Sequence, residues 1–120
     1  ARALTQQADY LILDEPTAAL DYCNQVKILN MIRSLSRDGY GILMTSHFPD
    51  HAFLVCNKAA LLKGGHVLAF GAPEKIVTTR SLTELYGVPV CVSEAPIKDI
   101  SAQSRQKVCV PIINKEEEKV

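Results

Sequence analysis

Tyr10-Leu11-Ile12-Leu13 is an unbroken apolar run that ends in two acids, Asp14 and Glu15. A short run without polar alternation predicts a strand covered on both faces, as in a parallel sheet. The period then changes. Ile28, Met31, Ile32 and Leu35 recur at helical spacing, and Val26 and Leu29 widen the same apolar surface. Asp21 can cap this helix and Gly39 can stop it after about Arg37, with its apolar face packed on the sheet. A second β-prone run, Gly41 to Ser46, ends at His47, and Pro49 opens a short helix to Cys56.

Further along, Lys58 to Lys63 and His66 to Phe70 flank Gly64-Gly65, which predicts a two-residue hairpin. Ala72-Pro73-Glu74 opens another short helix. Ser81-Leu82-Thr83-Glu84 fits a capping box, so a helix is expected from Leu82 to Tyr86, stopped by Gly87. Val88 to Val92 is expected as a last strand. Ser93 to Gln106 has no clear period, Val108 to Ile113 reads as an edge strand, and Lys115 to Val120 is a charged tail. The alternation of strand and helix predicts an α/β fold with parallel strands.

Composition narrows the class. At 120 residues, with 48% hydrophobic and 22% charged, the chain is ordinary globular material of one small domain's length. Lys+Arg and Asp+Glu both number 13, so no basic surplus points to nucleic acid or anionic lipid. No apolar run approaches the roughly 20 residues of a membrane-spanning helix, and no signal peptide is visible. Membrane association is therefore expected only through a partner. Cys23, Cys56, Cys91 and Cys109 form no C-x-x-C pair, which favours reduced thiols in a cytoplasmic protein.

The candidate chemistry sits at the strand ends. In Asp14-Glu15-Pro16-Thr17-Ala18-Ala19-Leu20-Asp21, adjacent carboxylates follow a buried strand, and a third acid follows a short turn. Nucleotide hydrolysis needs such an arrangement. In such a site one carboxylate is expected to hold Mg²⁺, usually through water, because this hard ion keeps much of its hydration shell. The next is expected to polarise the attacking water at the carboxyl end of the sheet, where α/β folds bind ligands. A zinc site from His47, His51 and Cys56 is the competing metal reading, but Pro49 keeps the two histidines off one regular helical face. His51 and His66 are expected at the surface or in the hairpin, without chemistry. Thr45 and Ser46 are expected only to present His47.

The run from Tyr10 to Asp21 resembles the Walker B motif and D-loop of ATP-binding-cassette (ABC) ATPases. Gly41 to His47 resembles the next strand of that family, which ends in a switch histidine at the γ-phosphate. Ala1-Arg2-Ala3-Leu4 is similar to the end of the helix after the signature motif. The resemblance extends from Ala1 to about Val92. It implies a partial P-loop NTPase (RecA-like, ABC ATPase) core with helices on both faces and a carboxyl-terminal β-hairpin. It also implies Glu15 as general base, His47 as γ-phosphate contact, Asp14 as Mg²⁺ ligand, and Asp21 as an acid reaching across a dimer interface besides capping its helix. ATP is the expected nucleotide.

A phosphate loop, G-x-x-x-x-G-K-[ST], is absent: no Lys precedes Ser or Thr. A Leu-Ser-Gly-Gly-Gln signature and a glutamine loop are absent too. The chain is thus expected to be the carboxyl half of a nucleotide-binding domain, with residues 1–92 belonging to it and 93–120 forming an extension and tail. Alone it is expected to be inactive. Its unpaired sheet edges favour self-association.

Lys63-Gly64-Gly65-His66-Val67-Leu68-Ala69-Phe70-Gly71-Ala72-Pro73 resembles the hairpin of importer ATPases. Leu82 to Val90 is similar to a segment of the subunits serving iron–siderophore, haem, cobalamin and molybdate-type importers. That resemblance implies a second copy of the subunit and integral-membrane permeases as partners, a place on the inner face of the cell membrane, and uptake of a metal chelate. An ABC-type ATPase of DNA repair or chromosome structure, and a non-catalytic remnant acting as an interaction domain, are the alternative readings.

Overall fold

Tyr10–Asp14 forms strand β1, Tyr22–Arg37 helix α1, Gly41–Thr45 strand β2 and Asp50–Val55 helix α2 in a computed structural model that describes residues 10–98 and 103–113. The chain folds as two units, Ala1–Val55 and Cys56–Val120. The likeness noted at Ala1 to Leu4 and the tail from Lys115 lie outside the described residues.

In the first unit, β1 and β2 pair in parallel from Tyr10↔Gly41 to Asp14↔Thr45, with α1 as the crossover. Parallel pairing is what the two apolar runs require, since a crossover helix must return the chain to the same end of the sheet. The strands' apolar side chains divide by face. Leu11 and Leu13 are half-buried, whereas Tyr10 (78% exposed), Ile12 (80%) and Leu43 share an open face.

Helix α1 begins and ends where expected. Asp21 is its N-cap and accepts the Asn24 N–H at 2.8 Å, and Asp38 follows Arg37 as C-cap. Its buried stripe differs from the expected one. Leu29 and Ile32 are buried, with Ile28 and Leu35 half-buried beside them, while Met31 and Val26 are exposed. The stripe's centre runs between Leu29 and Ile32, and at 100° per residue Met31 and Val26 turn away from it.

In the second unit, β3 (Ala59–Lys63) and β4 (His66–Gly71) form the expected antiparallel hairpin. Gly64 and Gly65 both have positive φ, 57° and 78°, as a two-residue turn matching the strand twist demands. Helices α3 (Pro73–Ile76) and α4 (Thr79–Tyr86) follow. The cap of α4 lies three residues upstream of the predicted Ser81. Thr78 caps the helix and Ser81 is its reciprocal partner: the Ser81 N–H donates to Thr78 Oγ1 at 3.1 Å and the Thr78 N–H to Ser81 Oγ at 2.9 Å. Ser81 Oγ also donates to the Ile76 carbonyl at 2.6 Å, which ties off α3 and favours this register over one starting at Ser81. Leu61, Val77, Leu82 and Val90 are the buried hydrophobic residues of this unit.

The largest departure is at the end. Strand β5 runs from Val90 through Val92 to Lys98 and pairs antiparallel with β6, Gln103–Pro111, from Val90↔Pro111 to Lys98↔Gln103. The division drawn at residue 92 falls inside β5, and most of the segment read as aperiodic is strand. Pro96, which cannot donate to a ladder, is accommodated because β5 has a single partner strand here.

Candidate active site

Parallel pairing brings the carboxyl ends of β1 and β2 side by side, and every residue of the candidate centre follows from that. Asp14 is the last residue of β1 and lies opposite Thr45, the last of β2. Beyond them the chain turns, Glu15 from one strand and His47 from the other, and His47 Nε2 stands 3.2 Å from Glu15 Oε1.

Thr45 closes the arrangement. Its hydroxyl donates to Asp14 Oδ1 at 2.5 Å and accepts the Glu15 N–H at 3.0 Å, while its carbonyl accepts the same N–H at 3.1 Å. These bonds hold Glu15 at φ 45°, a left-handed conformation that a residue with a Cβ adopts only at a cost. The strain is used: it turns Glu15 out of strand geometry and toward His47. Past it, Ala18 N–H donates to the Glu15 carbonyl at 3.0 Å and Leu20 N–H to the Thr17 carbonyl at 3.3 Å, a double turn pinned by buried Thr17. Gln25 Nε2 donates to the Leu20 carbonyl at 2.9 Å, fixing the turn to α1.

Asp14, Glu15 and His47 are thus gathered at one sheet end. Asp21 is not among them; its carboxylate is spent on capping α1. Sequence reasoning gave Thr45 too small a part, since it fastens both acids as well as preceding His47. The signal for it was the register: a hydroxyl residue ending the strand that pairs with the acid-bearing one.

His51 corrects a second expectation. It is 5% exposed, not a surface residue. Its Nδ1 lies 2.9 Å from Ser46 Oγ, and burial pushes its pKa below the usual imidazole value, with the Asp50 carboxylate working in the opposite direction. His66 opens β4 and is exposed, as expected.

The donor set suits Mg²⁺ rather than zinc. Asp14 presents an exposed carboxylate with a hydroxyl beside it, hard oxygen donors at one point. Among the described residues no three His, Cys, Asp or Glu side chains gather as a metal cage, so His47, His51 and Cys56 do not form the zinc site considered from sequence. A single carboxylate is what Mg²⁺ takes when substrate phosphates supply the rest.

Two parallel strands ending in paired carboxylates and a histidine, joined by a helical crossover, have the layout of the carboxyl end of an α/β sheet, where such folds bind their ligands. Known proteins narrow the class. The chain is 38% identical over 97 residues to the hemin import ATP-binding protein HmuV of Nocardia farcinica, covering 81% of this chain and 34% of that protein. It is 37% identical over 94 residues to the phosphonates import ATP-binding protein PhnC of Stutzerimonas stutzeri, covering 78% and 34%. In structure it superposes with a TM-score of 0.84 and 28% identity on a transporter described as an ABC transporter of metal-chelate type in an inward-facing conformation, over 96% of this chain and 44% of that one. It also matches cbiO1 of Clostridium perfringens, part of the ABC transporter complex cbiONQ, with a TM-score of 0.56 and 28% identity over 68% of this chain and 33% of that one. No family model matches. The chain belongs to the ABC ATPase family, and it spans about a third of the length of the curated relatives it matches.

Proposed function

We propose that this chain supplies the hydrolytic carboxylate and switch histidine of an ATP-hydrolysing ABC importer subunit. The observation that carries the reading is the 3.2 Å contact between Glu15 and His47 at the ends of paired parallel strands. Glu15 is the general base: its carboxylate takes a proton from the water attacking the γ-phosphorus, and its left-handed backbone aims it outward. His47 holds that carboxylate in place and offers its imidazole to the γ-phosphoryl oxygens, a positioning and electrostatic contribution. Asp14 would hold Mg²⁺ through water, and the ion, when bound with ATP, offsets charge on the phosphates. The Thr45 hydroxyl orients the Asp14 carboxylate for that task.

No described helix is long and apolar enough to cross a membrane. By its likeness to import ATP-binding proteins, the subunit works at the cytoplasmic face of a membrane through permease subunits, with a second copy completing the nucleotide sites and Asp21 near the junction. Its cargo is a metal chelate of the iron–siderophore, haem or cobalamin class. The likeness to HmuV proteins and to a metal-chelate type transporter supports this. The PhnC relatives favour a second reading, phosphonate uptake, at nearly the same identity.

The test is Glu15→Gln in the full-length ATPase. The amide keeps the polar contacts but cannot take the proton, so ATP binding should persist while turnover falls about 10²–10⁴-fold. Turnover at the parental rate would remove Glu15 from this role. Uptake of labelled haem against labelled phosphonate by cells carrying the transporter decides the cargo.

A further inference from the structure

One buried histidine lies outside the acid–histidine pair yet touches both neighbours of His47. His51 Nδ1 bonds Ser46 Oγ at 2.9 Å, and that same oxygen accepts the Phe48 N–H at 3.0 Å. The Phe48 ring lies 5.1 Å from the His51 ring at 47°, and the main-chain N–H of His51 donates to the Phe48 carbonyl at 3.0 Å. His47 itself is 80% exposed in its side chain, so little packing of its own fixes it. Its place is set by the backbone on either side, and on both sides that backbone is tied to His51.

We propose that His51 is a positioning residue for His47: through Ser46 it holds the Ser46–Phe48 turn so that His47 meets Glu15. The inference rests on the ATPase reading for its kinetic consequence, but the anchor itself does not. An imidazole suits the post because it can bond a hydroxyl in either tautomer while its ring packs against Phe48. A buried group placed for packing alone would not need to reach Ser46. Burial that disfavours the charged form agrees with a ring kept neutral to make that bond.

Two substitutions remove the bond from opposite sides, His51→Leu and Ser46→Ala, and His51→Asn offers an amide that can again donate or accept near the Nδ1 position. In the 120-residue chain, amide hydrogen exchange at Phe48 reads the anchor directly. His51→Leu, which leaves the Ser46 hydroxyl without its imidazole partner, should speed that exchange about fivefold; Ser46→Ala, which also removes the acceptor of the Phe48 N–H, should speed it at least as much, and His51→Asn should restore most of the protection. In the full-length ATPase the same two variants should lower kcat about tenfold or more with KM for ATP little changed, because a small misplacement of a catalytic group costs rate rather than binding. Since Ser46 is exposed, Ser46→Ala keeps the test open should His51→Leu fail to fold. Unchanged Phe48 exchange in His51→Leu, or His51→Asn as poor as His51→Leu in both readouts, would overturn the proposal. With Glu15→Gln run alongside, the two failures separate: a slow Glu15→Gln beside a fast Ser46→Ala sinks the His51 role alone, whereas a fast Glu15→Gln sinks the ATPase reading and leaves the exchange data to decide the anchor.

Discussion

His47 Nε2 lies 3.2 Å from Glu15 Oε1, and no local element joins the two. The contact exists because β1 and β2 run parallel in a register that puts Asp14 opposite Thr45. A shift of one residue along either strand would turn every side chain of that strand to the other face and separate the acids from the histidine. The candidate centre is therefore a property of the strand pair, and the backbone at Glu15 is where its cost is stored.

That cost is measurable. Glu15 sits at φ 45°, where glycine is at ease and a side chain is not. Glu15→Gly should therefore be more stable than Glu15→Ala by about 1 kcal/mol, although both lose the carboxylate. Urea unfolding of the two variants checks it. Equal midpoints would mean that Glu15 is not held in the left-handed region in solution.

Much of this was legible in the sequence, and the parts that were not have physical reasons. The bounds of β1 and α1, the turn at Gly64-Gly65 and the stop at Gly87 rest on local chemistry that a linear reading detects. A local rule failed at α4: Ser81-x-x-Glu84 matches a capping box, but Thr78 caps the helix, with Ser81 as its reciprocal partner and bonded to the Ile76 carbonyl. The β5–β6 hairpin was missed because residues Ser93 to Lys98 are nearly all exposed, so no apolar alternation marks them. Thr45 and His51 took on larger parts than expected for a related reason. Their partners, Asp14, Glu15 and Ser46, are chosen by strand register and by the turn into α2, which no spacing rule reveals.

His51 also predicts a pH response. Burial lowers its pKa below the unfolded value of about 6.5, so the folded chain favours the neutral ring. Its contribution to stability is fully present above the unfolded pKa and is lost as pH falls through the folded one. Unfolding midpoints of the parent chain should therefore fall between pH 7.5 and 5.5 more steeply than those of His51→Asn, which has no ring to protonate. Parallel pH profiles for the two would contradict the direction of the shift.

Taken alone, the chain should neither hydrolyse ATP nor bind it usefully. Asp14 and Glu15 repel a triphosphate, the sequence has no phosphate loop to offset them, and Mg²⁺ relies on phosphates already held in place. The expected dissociation constant for Mg-ATP is about 1 mM or weaker, roughly −4 kcal/mol. Calorimetric titration of the 120-residue chain checks it, and micromolar binding would reveal a phosphate site elsewhere in the chain.

The most direct measurement is a double-mutant cycle on turnover in the full-length ATPase, using Glu15→Gln, His47→Ala and the pair. If the 3.2 Å contact makes the two residues one catalytic unit, each single change should slow hydrolysis at nearly unchanged ATP affinity. The double variant should then be little slower than Glu15→Gln alone, because groups that act together are not additive. Rate losses that multiply, or a His47→Ala enzyme that turns over normally, would contradict the account.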